Sequence, residues 1–177
     1  MIRYQITDGT AHLDEARWLR SLNPNVDFIQ IREGGLNIRD LSRLVRKVRS
    51  LARVLVNDRT DVAIACEAAG VHLRSNSISP LVLRKIAPKG FVISVACHTG
   101  EDLLQADGAD YAVLAPVFQP LSKANEREPL GLTVLERIAK RARVPVIALG
   151  GITESNAGQC IGAGAVGVAG ITLFRQP

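Results

Sequence analysis

Two stretches carry residues able to do acid–base or phosphate chemistry where apolar runs stop. In "VLVNDRTDVAIACEAAGVHLRSNSISP" (54–80) an apolar run ends on Asn57-Asp58-Arg59, and a second ends beyond His72. In "VPVIALGGITESN" (144–156) a third run ends on Gly150-Gly151, ahead of a helix start near Thr153. Two glycines let a backbone approach an anion closely, and a helix N-terminus then offers free N–H groups and the positive end of a dipole. The loop Gly170-Ile171-Thr172 adds amides and a hydroxyl. A pair of ordinary turn glycines is the competing explanation. Arg32, just past "FIQI", has the forked guanidinium that suits phosphate or carboxylate, with a surface pair to Glu33 as the plainer role. Lys123, in the long loop after the sixth run, is either a clamp over a bound anion or a solvated lysine.

Asp58 offers an oxygen for Mg²⁺, but the next run ends in "HLRSNSIS", which supplies no second acid. Hydrogen bonds to loop amides or Arg59 are its plainer role. Of three histidines, His12 reads as surface and His72 as a core residue inside a strand. His98, just beyond the fifth run, has the ordinary pKa for proton transfer near neutrality and is the acid–base candidate. Cys66, Cys97 and Cys160 form no CxxC pair, so neither a zinc site nor a disulfide framework is expected.

The elements that must position these residues alternate. Strands are expected at 2–7, 26–31, 53–57, 70–73, 91–95, 110–115, 144–149 and 166–170. Helices are expected at about 11–21, 38–51, 60–68, 79–87, 100–107, 131–142 and 154–163, with Asp61, Ser79 and Thr153 as caps. Eight strands joined by helical crossovers imply parallel pairing and a (β/α)₈ TIM barrel, rather than an open doubly wound sheet whose Gly-rich loop comes early. The domain is read as single, 1–177. It ends at "ITLFRQP", with no room for a final covering helix, so that helix is dispensable or a second subunit, as in a homodimer, covers the gap.

Composition agrees. Hydrophobic residues make up 47% of 177 and aromatics 4%, which demands an aliphatic core. The net charge of +5 lies largely in "RDLSRLVRKVRSLAR" (39–53), where Leu41, Leu44, Val45, Val48 and Leu51 recur at helical spacing. No aromatics interleave with these charges to stack bases, so no nucleic-acid partner is expected. There is no signal peptide and no run long enough to span a bilayer, so the expected location is the cytoplasm, with no membrane partner.

The stretches "YQITD" (4–8), "FIQIRE" (28–33), "VNDRTDVAIACEAAGVHL" (56–73), "GADYAVLAPVF" (108–118), "VPVIALGGI" (144–152) and "AGAVGVAGIT" (163–172) together resemble the thiamine phosphate synthase/TenI superfamily along nearly the whole chain. The resemblance implies a barrel that binds a phosphorylated thiazole at the Gly150-Gly151 and Gly170–Thr172 loops. It also implies one of two activities. A synthase joins a pyrimidine diphosphate to the thiazole phosphate with Mg²⁺. A TenI-like tautomerase moves a proton on the thiazole carboxylate phosphate and needs no metal or other cofactor.

The synthase pattern is matched by Gln30, Arg32, Asn57, Asp58 and Lys123. It is broken at Gly34 (a lysine position), Ser77 (the second aspartate) and Ala96 (a serine). The TenI pattern is matched by those losses and by His98 as acid–base. The expectation drawn is tautomerase-type proton transfer through His98. Synthase activity with Mg²⁺ on Asp58 is the alternative, and a non-catalytic phosphate-ligand-binding or regulatory protein the second alternative.

Overall fold

The computed structural model describes residues 1–119 and 128–176. Eight parallel strands close in chain order: β1 (Ile2–Ile6), β2 (Phe28–Ile31), β3 (Val54–Asn57), β4 (Gly70–Leu73), β5 (Val92–Cys97), β6 (Tyr111–Leu114), β7 (Val146–Leu149) and β8 (Gly167–Gly170). β8 pairs with β1 through Arg3 opposite Val168 and Tyr4 opposite Ala169, which seals the ring. The expected TIM barrel is therefore the observed fold. Helices α1 (Glu15–Arg20), α2 (Ile38–Val48), α3 (Thr60–Ala65), α4 (Pro80–Arg84), α5 (Gly100–Leu104), α6 (Gly131–Arg141) and α7 (Glu154–Gly162) fill the crossovers.

Side chains alternate across each strand, so each strand feeds two cores. Tyr4, Phe28, Leu55, Val92, Val113, Ile147 and Ala169 point inward and fill the barrel. Ile29, Ile31, Val54, Val56, Val71, Leu73, Ile93 and Leu114 point outward and meet the helices. The basic helix α2 contributes Leu41, Leu44, Val45 and Val48 to that outer layer while its arginines stay on the opposite side. Burying each such side chain is worth about 1.5–3 kcal/mol. Truncating Leu44, 1% exposed, to alanine would cost about 2–5 kcal/mol through lost burial and the cavity left behind. Leu51 departs from the expected stripe: α2 stops at Val48, which leaves Leu51 56% exposed.

Most helices are shorter than expected. The first starts at Glu15 rather than residue 11, because Asp14 caps it by accepting from the Arg17 N–H. Asp61 is not a cap. Arg59 holds that place at α3, and Asp61 is bound to the Arg59 guanidinium, which keeps its carboxyl below the usual range. Among the described residues no helix follows β8. Leu173 and Phe174 instead pack on the outer core, and the Gln176 N–H donates to the Ser21 carbonyl, so part of the surface an eighth helix would cover is closed by this segment.

Candidate functional site

The inward face continues past the strand ends. On it lie Gln30 and Arg32 from β2, Asn57 from β3, His72 and Arg74 from β4, Ser94, Ala96 and His98 from β5, by the same alternation that buries Phe28, Leu55 and Val92. The register sets Asn57 beside His72, and His72 beside Ser94. Arg32, Asn57, Arg74, Ala96 and His98 therefore stand at the C-terminal mouth of the barrel, the face where such barrels carry their chemistry, with Gln30, His72 and Ser94 buried one layer below.

Below the mouth a polar relay is sealed in the barrel. Gln30 donates from Nε2 to the Tyr4 hydroxyl at 3.0 Å, Tyr4 and Ser94 share a hydrogen bond at 3.3 Å, and His72 Nδ1 lies 2.9 Å from the Ser94 hydroxyl. Gln30 is 1% exposed, so it supports the floor of the site from within. His72 is a core residue, as expected. Burial, followed by the charge of Arg32, pushes its pKa down to about 4, so it is neutral at physiological pH. Burial likewise raises Tyr4 well above the ordinary tyrosine value.

At the rim, β2, β3 and β4 are consecutive neighbours. Arg32 is exposed and, among the described residues, has no ion-pair partner. The expected pair with Glu33 does not form. Glu33 is 5% exposed and turned away, accepting from the N–H groups of Gly9 and Ala11 and from the Trp18 indole. Asp58 has φ of 55°, and its N–H donates to the His72 carbonyl, which extends the β3–β4 ladder by one bond. There its carboxylate pairs with Arg74 at 3.0 Å and accepts from the Ser77 hydroxyl at 3.3 Å. The expected partners, loop amides or Arg59, are not the ones it takes. Arg74 is the residue sequence reasoning missed. Its signal was a cation two positions after His72, on the same strand face.

His98 lies half-buried at the end of β5, its N–H held by the Asp102 carboxylate. Its Nδ1 is 2.8 Å from the Ala115 carbonyl oxygen. A carbonyl only accepts, so Nδ1 carries a proton and donates it in this bond. Neighbouring Cys97 faces the outer core, and burial pushes its thiol up to about 12, which removes it as a nucleophile.

Gly150 and Gly151 have φ of 98° and 61°, and a Cβ on either would strike the loop after β6: Pro116 for Gly150, Phe118 and the Gln119 carbonyl for Gly151. The close approach that glycine permits is therefore used by a neighbouring backbone, locked by Val117 N–H to Leu149 O and Phe118 N–H to Gly150 O. Beyond it, α7 begins at Thr153, with the Asn156 side chain accepting from the Thr153 N–H and donating to the Gly151 carbonyl. Gly170 packs against Leu173. Thr172 lines a groove with Arg17, Arg20 and Arg175 beside α1. Lys123 lies outside the described residues.

Residues 3–174 match the family model described as thiamine monophosphate synthase. The chain is 36% identical to the thiamine-phosphate synthase of Methanospirillum hungatei, over 96% of this chain and 87% of that one. It is 39% identical to the thiamine-phosphate synthase of Methanoculleus marisnigri, over 96% and 85%. The solved thiamine phosphate pyrophosphorylase from Pyrococcus furiosus superposes with a TM-score of 0.80 at 30% identity, over 97% of this chain and 85% of that one. These names fit the synthase alternative better than the tautomerase expectation.

Proposed function

The chain belongs to the thiamine monophosphate synthase family, and from that premise we propose that it is a synthase, joining a pyrimidine diphosphate to a thiazole phosphate with release of diphosphate. The observation that carries this reading is the near full-length likeness to relatives that bear the synthase name. The mouth supports it. Diphosphate departure concentrates negative charge, and preorganised donors aimed at that charge are the largest lever a site has on such a step. Arg32 and Arg74 flank Asn57 on the adjoining strands, and Gln30 fixes the floor beneath them. On this reading the thiazole phosphate sits at the start of α7, beside the Gly150-Gly151 turn.

The resemblance implies Mg²⁺ on Asp58, and the residues present do not fit that ion. Both Asp58 oxygens are already engaged, one by the Arg74 guanidinium and one by the Ser77 hydroxyl. Among the described residues no three His, Cys, Asp or Glu side chains gather to share a metal. A cation placed there would meet one neutralised carboxylate, whereas hard divalent ions are held by free oxygen charge.

A second reading, tautomerase-type proton transfer, rests on one observation: His98 stands at the mouth held through Nδ1, and among the described residues its Nε2 has no hydrogen-bond partner. Incubation of purified protein with pyrimidine diphosphate and thiazole phosphate, and separately with thiazole carboxylate phosphate, with products followed by chromatography, separates the two. The synthase reading expects thiamine phosphate. Isomerisation of the thiazole carboxylate phosphate with no condensation favours the second.

A further inference from the structure

We infer that the guanidinium of Arg74 replaces the divalent cation at Asp58, so that the mouth binds the diphosphate group of its substrate through Arg74 and Arg32 with no metal. This inference rests on the synthase reading for the identity of the anion, but its chemistry stands on the rim itself.

Three observations carry it. The first is the Asp58–Arg74 pair: Nε lies 3.0 Å from Oδ2, which leaves the other guanidinium nitrogens free for a second anion. The Arg74 side chain is 65% exposed, so those nitrogens are open to the mouth, while Asp58, at 26%, is the more enclosed partner that holds it in place. The second is Ser77. Its hydroxyl donates to Oδ1 of the same carboxylate, so a neutral donor stands where a metal site would need another acid. The third is placement. Arg32 ends β2, Asn57-Asp58 ends β3 and Arg74 follows β4, and these three strands are adjacent. Two guanidinium forks thus bracket the space above the end of β3, where an amide side chain, Asn57, supplies a further donor. Arginine forks match phosphate oxygens in pairs and stay charged at any relevant pH, which suits them to carry a leaving group's charge without an ion.

The probe is inorganic diphosphate, followed by calorimetry in EDTA and in millimolar Mg²⁺. Wild type is expected to bind equally within about twofold in both. Arg74→Ala should bind at least about tenfold more weakly in both, the loss of one charge-assisted contact. The double change Arg74→Gly with Ser77→Asp restores two carboxylates and should bind diphosphate only when Mg²⁺ is present. Mn²⁺ alone, titrated into wild type, should show no saturable binding. Diphosphate binding by wild type that requires Mg²⁺, or saturable Mn²⁺ binding lost in Asp58→Asn, overturns the inference. Failure here is separable from failure of the synthase reading. Thiamine phosphate formed only with Mg²⁺ keeps the reading and sinks this inference. No product under any condition sinks the reading, while diphosphate binding in EDTA still decides the role of Arg74.

Discussion

Acid should weaken this fold through His72 before it touches the carboxylates. The imidazole sits on the inward face of β4, 7% exposed, bonded to Ser94 and near the charge of Arg32, with the Tyr4 ring edge-on at 6.4 Å. Its folded pKa, about 4, lies below the ordinary 6.5. The unfolded chain therefore takes up a proton on this residue as pH falls through 6.5, and the folded chain does not. Stability is unaffected by His72 above pH 6.5, falls between 6.5 and 4, and is level below 4. Each pH unit in that window is worth about 1.4 kcal/mol, so pH 5 removes roughly 2 kcal/mol and pH 4 roughly 3. With a urea slope of about 2 kcal/mol/M, the loss at pH 5 is a midpoint shift of about 1 M. The carboxyls of Asp8, Glu15, Asp61 and Glu67 are held below their usual range, so their contribution is lost at lower pH, as the unfolded carboxyls protonate. The assay is urea unfolding of wild type and His72→Gln at pH 7, 6 and 5. Glutamine keeps a partner for Ser94 and never titrates, so the difference between the two proteins isolates this residue. The gap should close by about 2 kcal/mol from pH 7 to pH 5. Parallel curves would refute the reasoning and mean that His72 is hydrated or protonated in the folded barrel.

Other outcomes follow from single contacts. Arg32→Ala should lower kcat/KM for condensation by about ten- to hundredfold, the loss of a charge-assisted contact, while urea midpoints stay within a few tenths of a molar of wild type. Gly151→Ala places a Cβ against Phe118 and the Gln119 carbonyl at φ of 61°, and should cost about 1–3 kcal/mol by urea unfolding as the loop after β6 is displaced. Glu33→Gln sets an amide against the Gly9 and Ala11 N–H groups and the Trp18 indole, and should destabilise by about 2 kcal/mol, read as a lower urea midpoint and altered tryptophan fluorescence. His98→Ala should leave condensation within about tenfold of wild type, and a complete loss would show that the ring takes part in that step.

The fold was legible because its signals are periodic. Eight apolar runs alternating with helical stripes admit few topologies, and the placing of the glycine turns after the seventh and eighth runs picked the barrel. Boundaries were less legible because tertiary contacts set them: Asp14 starts α1 later than the pattern suggests, and the end of α2 strands Leu51 in solvent. The strand-end rule placed Arg32, Asn57, Asp58 and His98 at the ends of β2, β3 and β5, where the structure has them. It could not find pairings. Arg74 and Asp58 pair across the adjoining ends of β4 and β3, with Asp58 in a left-handed conformation, and neither residue's neighbours in sequence announce that. Glycine gave a mixed lesson. Gly150 and Gly151 read as room for an anion, whereas much of that room is taken by the backbone of Pro116–Gln119. Nor did the sequence reveal that Glu33 would turn inward to bind Trp18 instead of pairing with Arg32.

The most direct measurement is the condensation itself. Purified protein receives pyrimidine diphosphate and thiazole phosphate, and thiamine phosphate and free diphosphate are quantified together, in Mg²⁺ and in EDTA. The account predicts both products in equal amounts, at similar rates in the two buffers, with both rates reduced in Arg32→Ala and Arg74→Ala. Absence of thiamine phosphate in both buffers, with isomerisation of separately supplied thiazole carboxylate phosphate abolished by His98→Ala, would contradict it and move the chemistry to His98 at the end of β5.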